Sequence, residues 1–167
     1  MIEKDKEWTI SDEVWTMIFD ILMTKDRIRQ TFHDGCIRTL DDWLAYWKNP
    51  NIYAVLVIDN KRVVGIAWLN NLAHGTAEAN FCALNHYIPG GGALVIDYWN
   101  KTFYPYLKIL LVYTPESYDM VLRLCDKWGF KFVGPIPNYF DMFFKGIREG
   151  AMIFCYQLGE KNGQIYR

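Results

Sequence analysis

The chain has 167 residues, 51% of them hydrophobic and 17% aromatic, which is material for one domain with a large core. Eighteen Lys and Arg against nineteen Asp and Glu leave a formal net charge of -1, which excludes a nucleic-acid binder working through a global positive field. Disorder over most of the length is excluded too, because charged residues are 22% and apolar segments recur throughout.

The first amphipathic segment follows Ser11, a good N-cap. Val14, Ile18, Ile21 and Leu22 share one helical face. The stretch 25–37 is polar and mixed, a short helix or a loop. Thr39 with Asp42 makes a capping box, and Leu40, Trp43, Leu44 and Trp47 form the apolar stripe of a second helix, ended by Asn49-Pro50-Asn51. Residues 52–58 read as a strand, Asp59-Asn60-Lys61 as a tight turn and 63–69 as the return strand. After a polar connection over 70–75 with His74, residues 76–84 alternate, with Thr76, Glu78, Asn80 and Cys82 on one side.

Then comes Ile88-Pro89-Gly90-Gly91-Gly92, followed from Ala93 by a helical pattern. Residues 108–113 form a continuous apolar run of the kind a central parallel strand shows. Thr114-Pro115 predicts the start of the next helix, whose stripe is Tyr118, Val121, Leu122, Cys125 and Trp128, with Gly129 as its end. The last strands are expected at 130–133 and 152–158, with 134–150 a loop carrying the aromatic run Asn138-Tyr139-Phe140-Asp141-Met142-Phe143-Phe144. The order implies a mixed α/β (α+β) domain, antiparallel early and parallel around the glycine-loop helix. Its core is expected over about 8–158, with a polar tail at 160–167.

Cys36, Cys82, Cys125 and Cys155 show no metal-ligand spacing, so no metal is expected and the thiols read as free ones in a cytoplasmic protein. The longest apolar runs are far short of the ~20 residues that span a bilayer.

Three glycines before a helix leave backbone N–H groups unpaired at its positive end, where a phosphate can approach closely. A plain flexible tip is the alternative. No Lys-Ser or Lys-Thr follows, so this is not a nucleotide-triphosphate loop.

At this point three segments carry a resemblance. Val64-Gly65-Ile66-Ala67 in the hairpin, the strand 77–84 leading into Gly90-Gly91-Gly92-Ala93, and Leu124-Cys125-Asp126-Lys127-Trp128-Gly129-Phe130 together resemble the GNAT superfamily of acyl-CoA-dependent N-acyltransferases. The match covers nearly the whole chain and looks like a divergent branch, of the kind also found in phage genomes. The resemblance implies a central mixed sheet of about six to seven strands with helices on both faces. It also implies transfer of an acetyl group from acetyl-CoA to a primary amine by direct attack.

Carried onto this sequence, the resemblance assigns cofactor contacts to Cys82, Ala83 and Leu84 on the strand edge and to Gly90, Gly91, Gly92 and Ala93 in the loop. Glu78 is the expected general base, through a water. Asn80, on the same strand face, orients that water or the substrate. Tyr118 and Tyr113 compete for the acid role. His86 and His74 are weaker alternatives for the base, and each of these residues also has an ordinary packing or surface reading.

The sequence departs from the family pattern in the loop, where the usual Arg or Gln falls on Tyr87 or Ile88, and on the fourth helix, where the usual acid tyrosine falls on Cys125. A catalytically degenerate binding or assembly module on the same fold is therefore the alternative function. The expected partners are a CoA thioester and an amine, with neither nucleic acid nor membrane. The C-terminal strands are where a second copy could pair in a homodimer.

Overall fold

The computed structural model describes residues 10–84 and 90–159. The tail at 160–167 and the loop residues His86, Tyr87 and Ile88 lie outside the described residues.

Helices α1 (Asp12–Thr24), α2 (Ile28–Thr31) and α3 (Leu40–Trp47) come first. Ser11 is the N-cap of α1, and the capping box of α3 is closed: Asp42 N–H donates to Thr39 Oγ1 at 3.1 Å and Thr39 N–H to Asp42 Oδ2 at 3.0 Å. The buried stripe of α1 is Trp15, Ile18, Phe19 and Leu22, so Val14 and Ile21 stand at its margin.

Strands β1 (Tyr53–Asp59), β2 (Arg62–Ala73) and β3 (Thr76–Ala83) form an antiparallel meander. Asn60 and Lys61 hold φ 46 and 63, the twist-matched geometry of a two-residue hairpin turn. Helix α4 (Gly91–Phe103) crosses to β4 (Ile109–Pro115), which lies parallel to β3. Helix α5 (Asp119–Lys127) and the long hairpin β5 (Lys131–Met142) and β6 (Ile147–Gln157) complete the chain. The sheet order is β1-β2-β3-β4-β6-β5.

The mixed α+β sheet expected from the sequence is present, with six strands among the described residues. Two apolar layers flank it. Helices α1 to α3 cover one face over Ile66, Trp68, Cys82 and Leu84. Helix α4 and Cys125 of α5 cover the other over Ala67, Leu69, Ala77, Ala79 and Leu110.

Two expectations are corrected. Thr114 and Pro115 do not open a helix; they are the last residues of β4, opposite Met152 and Ala151, and Tyr118 is the N-cap of α5. Residues 134–150 are not a loop but most of the β5–β6 hairpin. Pro135 and Pro137 lie within β5 because it is an edge strand, where the loss of a ladder donor is tolerated. The register is broken between Phe132 and Gly134 and between Ile136 and Phe140.

Candidate active site

Strands β3 and β4 pair only from Thr76 opposite Ile109 to Glu78 opposite Leu111. Beyond that point β3 continues with β2 to Ala83, and β4 continues with β6 to Pro115. The two central strands therefore splay, and a gap opens between them on the side where the glycine loop begins.

Backbone alternation decides which groups line the gap. The Leu84 N–H donates to the Val64 carbonyl at 2.8 Å, across to β2. In an antiparallel pair this turns the N–H and C=O of Cys82 toward β2 as well, and those of Phe81 and Ala83 toward the gap. The Cys82 side chain is buried against α2, where Thr31 Oγ1 donates to its sulfur at 3.2 Å, and burial raises its thiol pKa.

Where the described chain resumes, Gly90 caps α4 with φ 86, and a Cβ there would meet nothing within 4 Å. The first helical bond of α4 runs from Leu94 N–H to the Gly90 carbonyl, so the N–H groups of Gly91, Gly92 and Ala93 precede the ladder. Gly92 has a second role: a Cβ there would lie 2.1 Å from the Trp128 ring, so its bareness lets α4 pack on the end of α5. An open left-handed glycine, a helix N-terminus and a strand edge unpaired with β4 beyond Glu78 fit an acyl-CoA, whose diphosphate needs donors and whose pantetheine arm carries amides.

Glu78 and Asn80 share the face covered by α1 to α3, at the base of the gap. Glu78 Oε2 accepts from Asn71 Nδ2 at 2.8 Å, and Asn80 Nδ2 donates to Asn70 Oδ1 at 3.0 Å. Burial raises the Glu78 carboxyl pKa above the usual carboxylate range, and the Asn71 bond pulls against that rise. The Glu78 charge also reaches Tyr139 of β5, whose ring stacks on Tyr113 of β4 at 5.5 Å.

Tyr118 sits at the N-cap of α5, outside the apolar stripe to which its spacing assigned it. Its hydroxyl donates to the Gln30 carbonyl at 3.3 Å, and its ring meets His33 edge-on at 6.3 Å. The α2 segment and the β5–β6 hairpin close together here: Phe143 N–H donates to the His33 carbonyl at 2.9 Å, and His33 packs on Phe140 at 4.5 Å. Glu149 of β6 is held by Ser117 Oγ at 2.6 Å and Lys145 Nζ at 2.9 Å, which keep its carboxyl below the usual range.

The structure thus brings Glu78, Asn80 and the strand edge to one gap, with Tyr118 tied to the α2 segment. Cys125, onto which the resemblance places the usual acid, is 3% exposed in the core, and burial pushes its thiol up to about 12. His74 holds a turn at φ 50 on the hairpin. Sequence reasoning missed Asn71, read as part of a polar connection, and the basic pair Lys25 and Arg27, in a stretch without periodicity. Lys25 Nζ donates to the Leu84 carbonyl at 3.1 Å, and Arg27 Nη1 to the Ala83 carbonyl.

No family model and no curated protein sequence matches the chain. Solved structures do match in shape. An acetyltransferase from Salmonella typhimurium that modifies the N-terminal serine of a ribosomal protein aligns with a TM-score of 0.76 at 6% identity, over 88% of this chain and 91% of that one. The chain has the GNAT fold. An N-acetyltransferase from Staphylococcus aureus aligns on this GNAT fold at 0.70 and 16% identity, over 90% of this chain and 96% of that one. A putative acetyltransferase from Salmonella typhimurium, solved with acetyl-CoA, aligns at 0.67 and 15%, over 93% and 94%. Among the described residues no cluster of His, Cys, Asp or Glu could hold a metal, and no helix is long and apolar enough to cross a membrane.

Proposed function

We propose that the protein is an N-acetyltransferase that moves the acetyl group of acetyl-CoA to a primary amine. The observation that carries this reading is the splay after Glu78 and Leu111, which opens one edge of β3 between a half-buried carboxylate and a glycine-capped helix N-terminus.

In this reading Phe81 and Ala83 pair with the pantetheine arm, flanked by Cys82 and Leu84. The N–H groups of Gly91, Gly92 and Ala93, after the open Gly90, face the diphosphate. Glu78, through a water, takes a proton from the acceptor ammonium, and its raised pKa makes it a stronger base than a free carboxylate. Asn80 orients that water. The freed amine forms the C–N bond as the C–S bond breaks. Tyr118 returns a proton to the departing thiolate, with Tyr113 the competing donor. A backbone N–H on the gap side of β3 polarises the thioester carbonyl.

The alternative, a binding or assembly module that has lost catalysis, is favoured by the burial of Cys125 where an acid is usual. Thiol release from acetyl-CoA, measured across a panel of amines, separates the two. Amine-dependent release that falls about 10²–10⁴-fold in Glu78→Gln is the expected result. Acetyl-CoA binding without release by any amine would favour the module.

A further inference from the structure

A cavity of about 480 Å³, a size that holds a small molecule, opens at the end of β2. Tyr46, Asn49 and Asn51 line it from α3 and the connection to β1, and Asn70 and Asn71 line it from β2. None of the described residues lining it carries a charge. Lys48, which precedes Asn49, is paired with Asp12 at 2.8 Å.

Two consecutive strand residues ordinarily point to opposite faces. The register of β2 on β3 breaks after Asn70, and Asn71 takes a left-handed φ of 49. This irregularity lets Asn70 bond Asn80 and Asn71 bond Glu78, two residues on one face of β3. Each amide commits one group to β3: Asn70 accepts through Oδ1, and Asn71 donates through Nδ2. That leaves Asn70 Nδ2 as a donor and Asn71 Oδ1 as an acceptor in the cavity wall. Tyr46 adds a hydroxyl, which accepts from Trp68 Nε1 at 3.0 Å. Burial raises its pKa, so it keeps a proton to donate.

Strand register ties the cavity to the chemistry. Glu78 lies opposite Asn70 on β2 and opposite Leu111 on β4, so the cavity borders it on one side and the gap on the other. We propose that this cavity holds the body of the acceptor, and that the acceptor is a primary amine on an uncharged body bearing hydroxyl or carboxamide groups. Its ammonium reaches Glu78 past Asn70 and Asn71, and its body pairs with the amides and the Tyr46 hydroxyl. A second charge of either sign would be desolvated against walls whose described residues offer no counter-ion. The inference rests on the proposed acetyl transfer and adds its acceptor class.

Thiol release from acetyl-CoA by the full chain tests it, with two pairs of small amines matched in size. Serinamide and aminopropanediol have uncharged bodies, whereas serine adds a carboxylate and diaminopropanol a second ammonium. With rates referred to free amine, kcat/KM for each uncharged member is expected to exceed that of its charged counterpart about tenfold or more. Asn51 is exposed, and substitutions at such positions cost little stability. Asn51→Asp is expected to shift the ratio of diaminopropanol to aminopropanediol upward about threefold or more, and Asn51→Lys to do the same for serine over serinamide. A merely structural role for Asn51 would move neither ratio. Equal kcat/KM within the pairs, release only by charged amines of a wider panel, or a preference that neither Asn51 variant moves would overturn the acceptor class while leaving acetyl transfer standing. No release by these or by any amine of the wider panel would overturn acetyl transfer and this inference with it.

Discussion

Glu78 and Leu111 are the last residues at which β3 and β4 pair, and the carboxylate of Glu78 lies where the two strands part. Burial raises its pKa, so folding favours the protonated form. That contribution is fully present below the unfolded carboxylate pKa and is lost as pH rises through the folded one. Above its folded pKa Glu78 is an ionised, half-buried group, which a glutamine never is. Glu78→Gln is therefore expected to melt higher than wild type at pH 7, with the difference vanishing in acid, while its turnover collapses. Thermal unfolding at several pH values, alongside the thiol-release assay, checks both halves.

Asn71 tunes the same group. Its amide donates to Glu78 and lowers the carboxyl pKa, against the rise that burial causes. Asn71 also holds φ 49, which glycine adopts freely. Asn71→Gly removes the donor without straining the backbone. The acid limb of the pH–rate profile is expected to move to higher pH, with little change in the maximal rate.

Gly92 and Trp128 form a packing pair rather than a flexible tip. Gly92→Ala drives a methyl into the Trp128 ring and should cost about 1–3 kcal/mol, a drop of several degrees in Tm. Repeating the substitution in a Trp128→Leu background should cost less, since the obstructing ring is gone. Additive effects in this double-mutant cycle would contradict the packing role.

Glu149 is 8% exposed and binds Ser117 at the entry to α5 and Lys145 at the hairpin turn. Its pKa is lowered, with the Ser117 bond the largest cause, so its contribution is present above the unfolded carboxylate pKa and lost as pH falls through the folded one. Ser117→Ala should cost about 1–3 kcal/mol at neutral pH, a loss that shrinks in acid. Unfolding curves at neutral and acid pH measure it.

Cys125, onto which the resemblance places the family's acid, lies in the core with a thiol pushed up to about 12. Cys125→Ala should keep wild-type turnover and lose only stability. A large loss of turnover in a folded variant would return the acid role to this thiol.

The helices and the meander were legible because their signals are local. The Thr39–Asp42 box, the Asn60-Lys61 turn and the Gly129 terminator each act within a few residues. The β5–β6 hairpin was not, because its register is broken twice and two prolines sit in β5, which only its place at the sheet edge makes harmless. The shared strand face of Glu78 and Asn80 was legible from alternation. Tyr118 was placed on a helical stripe by its spacing, yet it precedes the helix and faces α2. The contacts of Lys25 and Arg27 with the Leu84 and Ala83 carbonyls left no signal, because they join residues far apart in the chain, which no periodicity encodes.

The central claim is that the gap beyond Glu78 and Leu111 receives an acyl-CoA, and thermal unfolding with and without acetyl-CoA tests it most directly. At about 100 times its dissociation constant the ligand contributes roughly 2.7 kcal/mol, a rise of roughly 5–10 °C for a chain of this size. Such a rise with acetyl-CoA, well above that given by adenosine diphosphate alone, is the result this account predicts. An unchanged Tm at millimolar acetyl-CoA would contradict it.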